Sequence, residues 1–480
     1  MHFDKYFLNR FGRAVFTGAV LAASAVGGGD DASGPSALPA TYAFTNAAGE
    51  STVAYGGQTF RHVLIQEMDG FTGALSGLID GDAETPYATA GRSQAELDSW
   101  FRFDETAAER RFEYVTFGLQ DSFDDLASPR GLVGKTAGED ASTDHRDWDG
   151  GAFLGWRDTA LLGAEAGTSP VAFVDTLTAA LDAQAVARAG GGQLPGPSGE
   201  ALPVYVTAEG LDLQQLLEKF LLMSVAFSQG VDDYLDDDVD GKGLLAPNTL
   251  AEGTTYTVLA HQWDEGFGYF GAPRDYADYS DEELAGAGGR ADWQGQHDTN
   301  GDGAIDLESE FVWGAASNAA KRDLGSASGT DFTGEAWDGF LRGRALITGA
   351  GETLTDNELA QLQDARDQAV AGWEGALAAT VVHYINDTLA DMDAFGTEGY
   401  DFVTHAKHWA EMKGFALGLQ FNPRSPLLDG FEAFHDLIGD RPVLSGAGEE
   451  AIAAYREALL AARAQLGTAY GFAAADLSAW

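Results

Sequence analysis

Apolar positions recur at helical spacing through most of this chain, and strand-like alternation is weak throughout. From Thr59 to Ile79 the residues Val63, Leu64, Met68, Phe71 and Leu75 fall mostly on one helical face. Short helices are predicted near Ala95–Phe103 and Ala107–Phe117, followed by a polar Gly/Asp loop. Residues 170–190 predict a helix with Pro170 in its first turn, where its missing N–H costs nothing. A strongly apolar helix follows over Leu211–Gln229, with Phe220-Leu221-Leu222-Met223 inside it, and another runs from Tyr256 to Tyr269. Further helices are expected at Leu307–Lys321, Ala336–Leu346, Asp356–Met392, Tyr400–Leu419, Phe431–Leu437 and Glu449–Leu466.

The expected fold class is therefore all-α: a helical bundle, with two bundle units sharing an interface and long polar loops. The run Ala189-Gly190-Gly191-Gly192-Gln193-Leu194-Pro195-Gly196-Pro197-Ser198-Gly199 marks the boundary, giving an N-terminal unit over 40–190 and a C-terminal unit over 204–480.

Residues 1–26 read as a signal peptide. Lys5, Arg10 and Arg13 precede a small apolar run, Ala14–Val26, too short to span a bilayer, and Ala23-Ser24-Ala25 offers an A-x-A cleavage site. Residues 27–39 form a flexible linker. No cysteine is present for a lipid anchor, and no later apolar run is long enough for a membrane span, so the expected location is periplasmic or extracellular.

Composition sharpens this picture. The 480 residues include 75 acidic and 28 basic side chains, for a net charge of −47. Such a surface repels nucleic acid and anionic membranes and attracts cations, and it also suits a saline habitat. With no cysteine, disulfides, thiolate catalysis and Cys-ligated zinc or iron–sulfur centres are excluded. Nine histidines remain as soft ligands.

Two helices carry His/Glu pairs. His261 and Glu265 stand at i and i+4, and His408 and Glu411 at i and i+3, with His405 one turn earlier. If the two helices face each other, these imidazoles and carboxylates converge as a site for iron or another transition metal, since mixed N and O donors suit Fe, Zn, Mn or Cu. The bland alternative is two His–Glu contacts that seat the helices. No H-E-x-x-H signature occurs.

A second motif runs Asp298-Thr299-Asn300-Gly301-Asp302-Gly303-Ala304-Ile305-Asp306-Leu307-Glu308-Ser309-Glu310. Side-chain oxygens of Asp298, Asn300, Asp302 and Asp306, the carbonyl of Ala304 and the carboxylate of Glu310 make it a calcium-type loop, 298–310, of EF-hand spacing without an entering helix. Ser309 occupies the position where Glu is usual. The same residues also suit an Asx-rich turn leading into a helix. Elsewhere, the acidic run Asp232–Gly241 reads as a solvated loop, His383 as a core histidine among Val381, Val382 and Ile385, and His145 and His435 as lacking clustered partners.

The hexad Ala406-Lys407-His408-Trp409-Ala410-Glu411 resembles the G-x-H-x-x-E motif of imelysin-like proteins, with Ala in the leading position. The stretch His261–Gly271 resembles the H-x-W-D-E-x-F-G-Y pattern of a related bacterial family of unknown function, over a region extending from about residue 40 to the C-terminus. The resemblance implies an exported helical-bundle protein, a role in iron acquisition, and metal ligation by His408, Glu411, His261 and Glu265. It also implies an outer-membrane or periplasmic uptake partner. Two other readings remain open: a metal-dependent hydrolase of the imelysin-type peptidase class, with Glu265 or Glu411 as general base, and an acidic surface protein stabilised by calcium.

Overall fold

The computed structural model describes residues 38–480, apart from 105, 107–109, 128–129, 141–143, 158–168, 193–194, 198 and 200. The signal peptide and most of the linker expected over 1–39 lie outside the described residues. Leu38–Trp480 forms one compact unit. It is built from α1 (Gly56–Asp80), α2 (Arg92–Phe101), α3 (Pro170–Ala189), α4 (Leu213–Leu221), α5 (Val258–Phe270), α6 (Asp281–Leu284), α7 (Gly314–Gly325), α8 (Phe332–Gly349), α9 (Asp356–Asp393), α10 (Phe402–Gly418), α11 (Phe431–Ile438), α12 (Glu449–Tyr470) and α13 (Ala474–Ala479). Among the described residues there is no strand, only isolated bridges such as Thr45 with Ser51, so the all-α expectation holds.

The centre is α9, 38 residues long. Its start is fixed by a capping box: Thr355 Oγ1 accepts from the Glu358 N–H, and Glu358 returns the bond by accepting from the Thr355 N–H at 2.8 Å. Between Ala369 and Val382 nearly every residue is buried, as a helix surrounded by others requires. It packs against α7, α8, α10 and α12. Small residues let α8 come close: a Cβ on Gly339 would stand 2.4 Å from the Ala369 nitrogen, and one on Gly372 2.5 Å from the Ala336 nitrogen.

The two helical halves expected on either side of residues 189–203 pack into this single unit. α1 lies against both α3 and α4, and α4 lies against α10, so one hydrophobic cluster runs from Tyr42 to Trp480. Beyond Leu221 the α4 helix continues with wide π-type turns over Leu222–Phe227 and Gln229–Tyr234, where Leu235 N–H donates to Gly230 O, five residues back.

Two local expectations are corrected. The short helix expected at Ala107–Phe117 is absent over Arg110–Phe117, because the buried Glu67 carboxylate accepts the backbone N–H groups of Glu113, Tyr114 and Val115, each at 2.8 Å, and holds that chain open. The helix expected from Leu307 starts only at Gly314, since 307–313 closes the preceding loop: Arg274 N–H donates to Ser309 O and Trp313 Nε1–H to Leu307 O. No helix among the described residues is long and apolar enough to cross a membrane.

Candidate metal centre

The H-x-W-D-E stretch lies on α5, and its side chains clamp elements together. Trp263 is fully buried and its indole N–H donates to Phe340 O on α8 at 2.9 Å. Asp264, also fully buried, accepts from Tyr42 Oη at 2.9 Å and from Arg344 Nε at 2.8 Å. Phe267 stacks on Tyr42 with ring centroids 3.8 Å apart. His261 Nδ1–H donates to the Ala54 carbonyl at 3.0 Å, and its Nε2 lies 3.7 Å from Glu265. Glu265 in turn accepts from Gln58 Nε2 at 3.0 Å.

The other pair lies on α10, and no hydrogen bond, ion pair or ring contact among the described residues joins it to His261 and Glu265. Its members also part company. His405 is fully buried, turned to Tyr400 Oη at 3.1 Å and to the Phe395 ring, and burial lowers its pKa to about 4. Glu411 is buried and takes a hydrogen bond from Tyr384 Oη at 2.9 Å, while its Oε2 has no partner. His408 instead faces α9.

There the structure brings together residues that the motifs did not single out. His383, Asp387 and Asp391 follow one another at i, i+4 and i+8 on α9, hence along one face. His408 Nδ1 lies 2.8 Å from Asp391 Oδ2, and its Nε2 lies 3.9 Å from Asp387 Oδ2. His383 Nε2 approaches the same Asp387 oxygen to 3.2 Å. The four side chains are partly open to solvent, between 17% and 33% exposed. His383, expected as a core histidine, is thus a member of a polar cluster at the helix surface.

The electrostatics separate the two imidazoles. For His383, burial and then the charges of Arg322, His408 and Lys321 push the pKa down to about 3, which keeps it neutral. For His408, burial works downward but the Asp391 bond and the Asp391, Asp387 and Glu411 charges outweigh it, and the pKa is raised. Arg322 borders the cluster from α7. It is buried, burial lowers its pKa, and its Nε and Nη1 have no hydrogen-bond partner. Among the described residues, no group of three or more His, Asp or Glu side chains stands ready-made to hold a metal ion.

In the calcium-type loop the acidic side chains serve the turn. Asp298 accepts from the N–H groups of Gly301, Asp302 and Gly303, Asn300 from Asp302, and Asp302 from Ala304. Glu310 accepts from the N–H groups of Thr299, Asn300 and Asp306, and Asp306 from that of Glu308. The acidic run Asp232–Gly241 departs from expectation. Asp232, Asp233 and Asp236 are buried; the wide-turned helix carries the first two inward, and Asp232 accepts from His145 Nδ1 at 2.7 Å. His435 is likewise partnered, by Lys413 Nζ at 3.2 Å and the Ala416 carbonyl.

A family model described as a domain of unknown function (DUF4856) matches residues 165–283, about a quarter of the chain. That segment holds α3, α4, α5 and the His261–Gly271 stretch. No curated protein and no solved structure matches the chain.

Proposed function

We propose that this is an exported protein that binds a transition-metal ion, iron among the candidates, through His383, Asp387 and His408. The observation that carries the reading is the approach of two imidazole Nε2 atoms to one carboxylate oxygen, at 3.2 and 3.9 Å. Ligands of a tetrahedral ion at 2.0–2.2 Å stand about 3.4 Å apart, and the two Nε2–Oδ2 separations, 3.2 and 3.9 Å, lie on either side of that spacing. Two histidines and one carboxylate suit iron and zinc. The bond from His408 Nδ1 to Asp391, the usual outer support of a metal-bound imidazole, leaves Nε2 as the ligating nitrogen once its proton is displaced. His383 is held neutral by its surroundings, the charge state that a ligating imidazole needs.

The net charge of −47 concentrates cations at such a surface. The role in iron acquisition rests on the resemblance of the α10 hexad to imelysin-like proteins, and export rests on the residues of 1–26. Calcium at 298–310 rests on the loop spacing.

Elemental analysis after dialysis against Fe2+ or Zn2+ tests the site. Wild type should retain metal, His383→Ala, Asp387→Ala and His408→Ala should each lose it, and His261→Ala should keep it. Equal metal content in all five proteins would sink the assignment.

A further inference from the structure

A second site lies farther toward the N-terminus of α9, more than two helical turns before His383. It is a cavity of about 500 Å3 between α8, α9 and the end of α12. That volume falls within the range of small-molecule pockets, roughly 300–1,000 Å3.

Three aromatic rings form its apolar wall: Phe332, Tyr470 and Phe472. Phe472 stacks near Tyr470 at 5.5 Å and meets Phe332 edge-on at 6.2 Å. Three carboxyl groups share the lining, Glu335, Asp367 and Glu374. Glu374 is buried, and Ser425 Oγ and Tyr470 Oη donate to its Oε1 at 2.5 and 2.7 Å while Asn422 donates to its Oε2. It therefore fixes Tyr470 in the wall. Glu335 is exposed and has no ion pair among the described residues, and Asp323 and Asp331 add negative charge near it. Asp367 is held by Arg366 on its other side. The basic group of the lining, Arg424, is turned mainly elsewhere: Nη1 is bound to Asp236 and Nη2 to Val231 O, and only Nε lacks a partner.

Ring faces and carboxylates share one preference. The negative face of an aromatic quadrupole attracts a cation, and so does an unpaired carboxylate beside it. An anion would meet repulsion from Glu335 and Asp367, and of the Arg424 guanidinium only the buried Nε is left without a partner, Nη1 and Nη2 being bound to Asp236 and Val231 O. A bare metal ion, small and strongly hydrated, would leave the apolar surface of the three rings uncovered. We infer that this cavity binds a small organic cation, an ammonium group carried on an apolar body, with the body against Phe332, Tyr470 and Phe472 and the charge beside Glu335. The assignment is independent of the α9–α10 metal cluster.

The test is calorimetric titration of the full chain with benzyltrimethylammonium and 2-phenylethylammonium, against 2-phenylethanol and phenylacetate as neutral and anionic counterparts. Both ammonium probes should bind saturably, and each more tightly than 2-phenylethanol. Glu335→Gln, at an exposed position, should weaken ammonium binding about tenfold while leaving the weak alcohol signal unchanged, a difference of about 1.4 kcal/mol. Phe472→Ala should weaken ammonium and alcohol together, and circular dichroism of each variant confirms its fold. Absence of ammonium binding at millimolar concentration overturns the inference. So does equal binding of the alcohol, tighter binding of phenylacetate, or an unchanged affinity in a folded Glu335→Gln.

Discussion

Asp391 on α9 holds the Nδ1–H of His408 on α10 at 2.8 Å, which fixes both the tautomer and the direction of the ring. A residue that orients an imidazole in this way contributes to metal affinity without touching the ion. Asp391→Asn should therefore lower the affinity for Zn2+ or Fe2+ by about 10- to 100-fold while leaving the far-ultraviolet spectrum unchanged. Isothermal titration measures it. An Asp391→Asn protein that binds as tightly as wild type would remove the orienting role.

The H-x-W-D-E stretch on α5 makes a different forecast. Asp264 and Arg344 are a buried pair, 2.8 Å apart, and Tyr42 completes the carboxylate. Removing one member leaves the other charge buried and unpaired, which costs about 3–5 kcal/mol. Asp264→Ala should lower the denaturation midpoint accordingly, with metal content per folded molecule unchanged. Urea unfolding alongside elemental analysis separates this structural role from a ligating one.

The calcium-type loop can be tested by mass action. A cation bound only by the folded state raises its melting temperature, so excess Ca2+ should stabilise wild type and chelation should reverse the gain. Asp302→Ala, which removes one side chain of the loop, should abolish the shift. If Asp302→Ala and wild type melt alike with and without Ca2+, the carboxylates act only as turn acceptors, the role shown by Asp298 toward Gly301, Asp302 and Gly303.

Helices were legible where signals were local. The box Thr355/Glu358 and the apolar run after it set α9 almost to the residue, and α10 likewise. The segment Arg110–Phe117 was not legible, because what opens it is a carboxylate more than 40 residues away, Glu67. Asp232 and Asp233 are buried within the π-type turns of Gln229–Tyr234, a winding that spacing at 3.6 residues per turn does not reveal. At the candidate site, His408 was visible through its hexad. His383 was hidden by its apolar neighbours Val381 and Val382, although the His383, Asp387, Asp391 spacing was a usable signal. That α10 faces α9, and not α5, is a tertiary fact that neither motif encodes.

The last prediction concerns acid. His62 is buried on α1, its Nε2 3.2 Å from Gly268 O and its ring stacked on Trp313. Burial pushes its pKa down from 6.5 to about 4. The unfolded chain takes up a proton at pH 6.5 that the folded chain refuses until about pH 4, so the unfolded state binds more protons in that window and stability falls as pH falls through it. Above pH 6.5 the group makes no difference. At pH 4.5 the loss from this residue is roughly 2–3 kcal/mol, at 1.36 kcal/mol for each decade. His62→Gln keeps an N–H for the Gly268 carbonyl and cannot titrate. Its stability should fall short of wild type at pH 7 and close on it, or exceed it, by pH 4.5. His383 and His405 are depressed in the same direction, so an acid limb survives in the variant with a shallower slope. Urea denaturation at a series of pH values reads the slope directly, and parallel curves for the two proteins would show that His62 does not titrate across the folding transition.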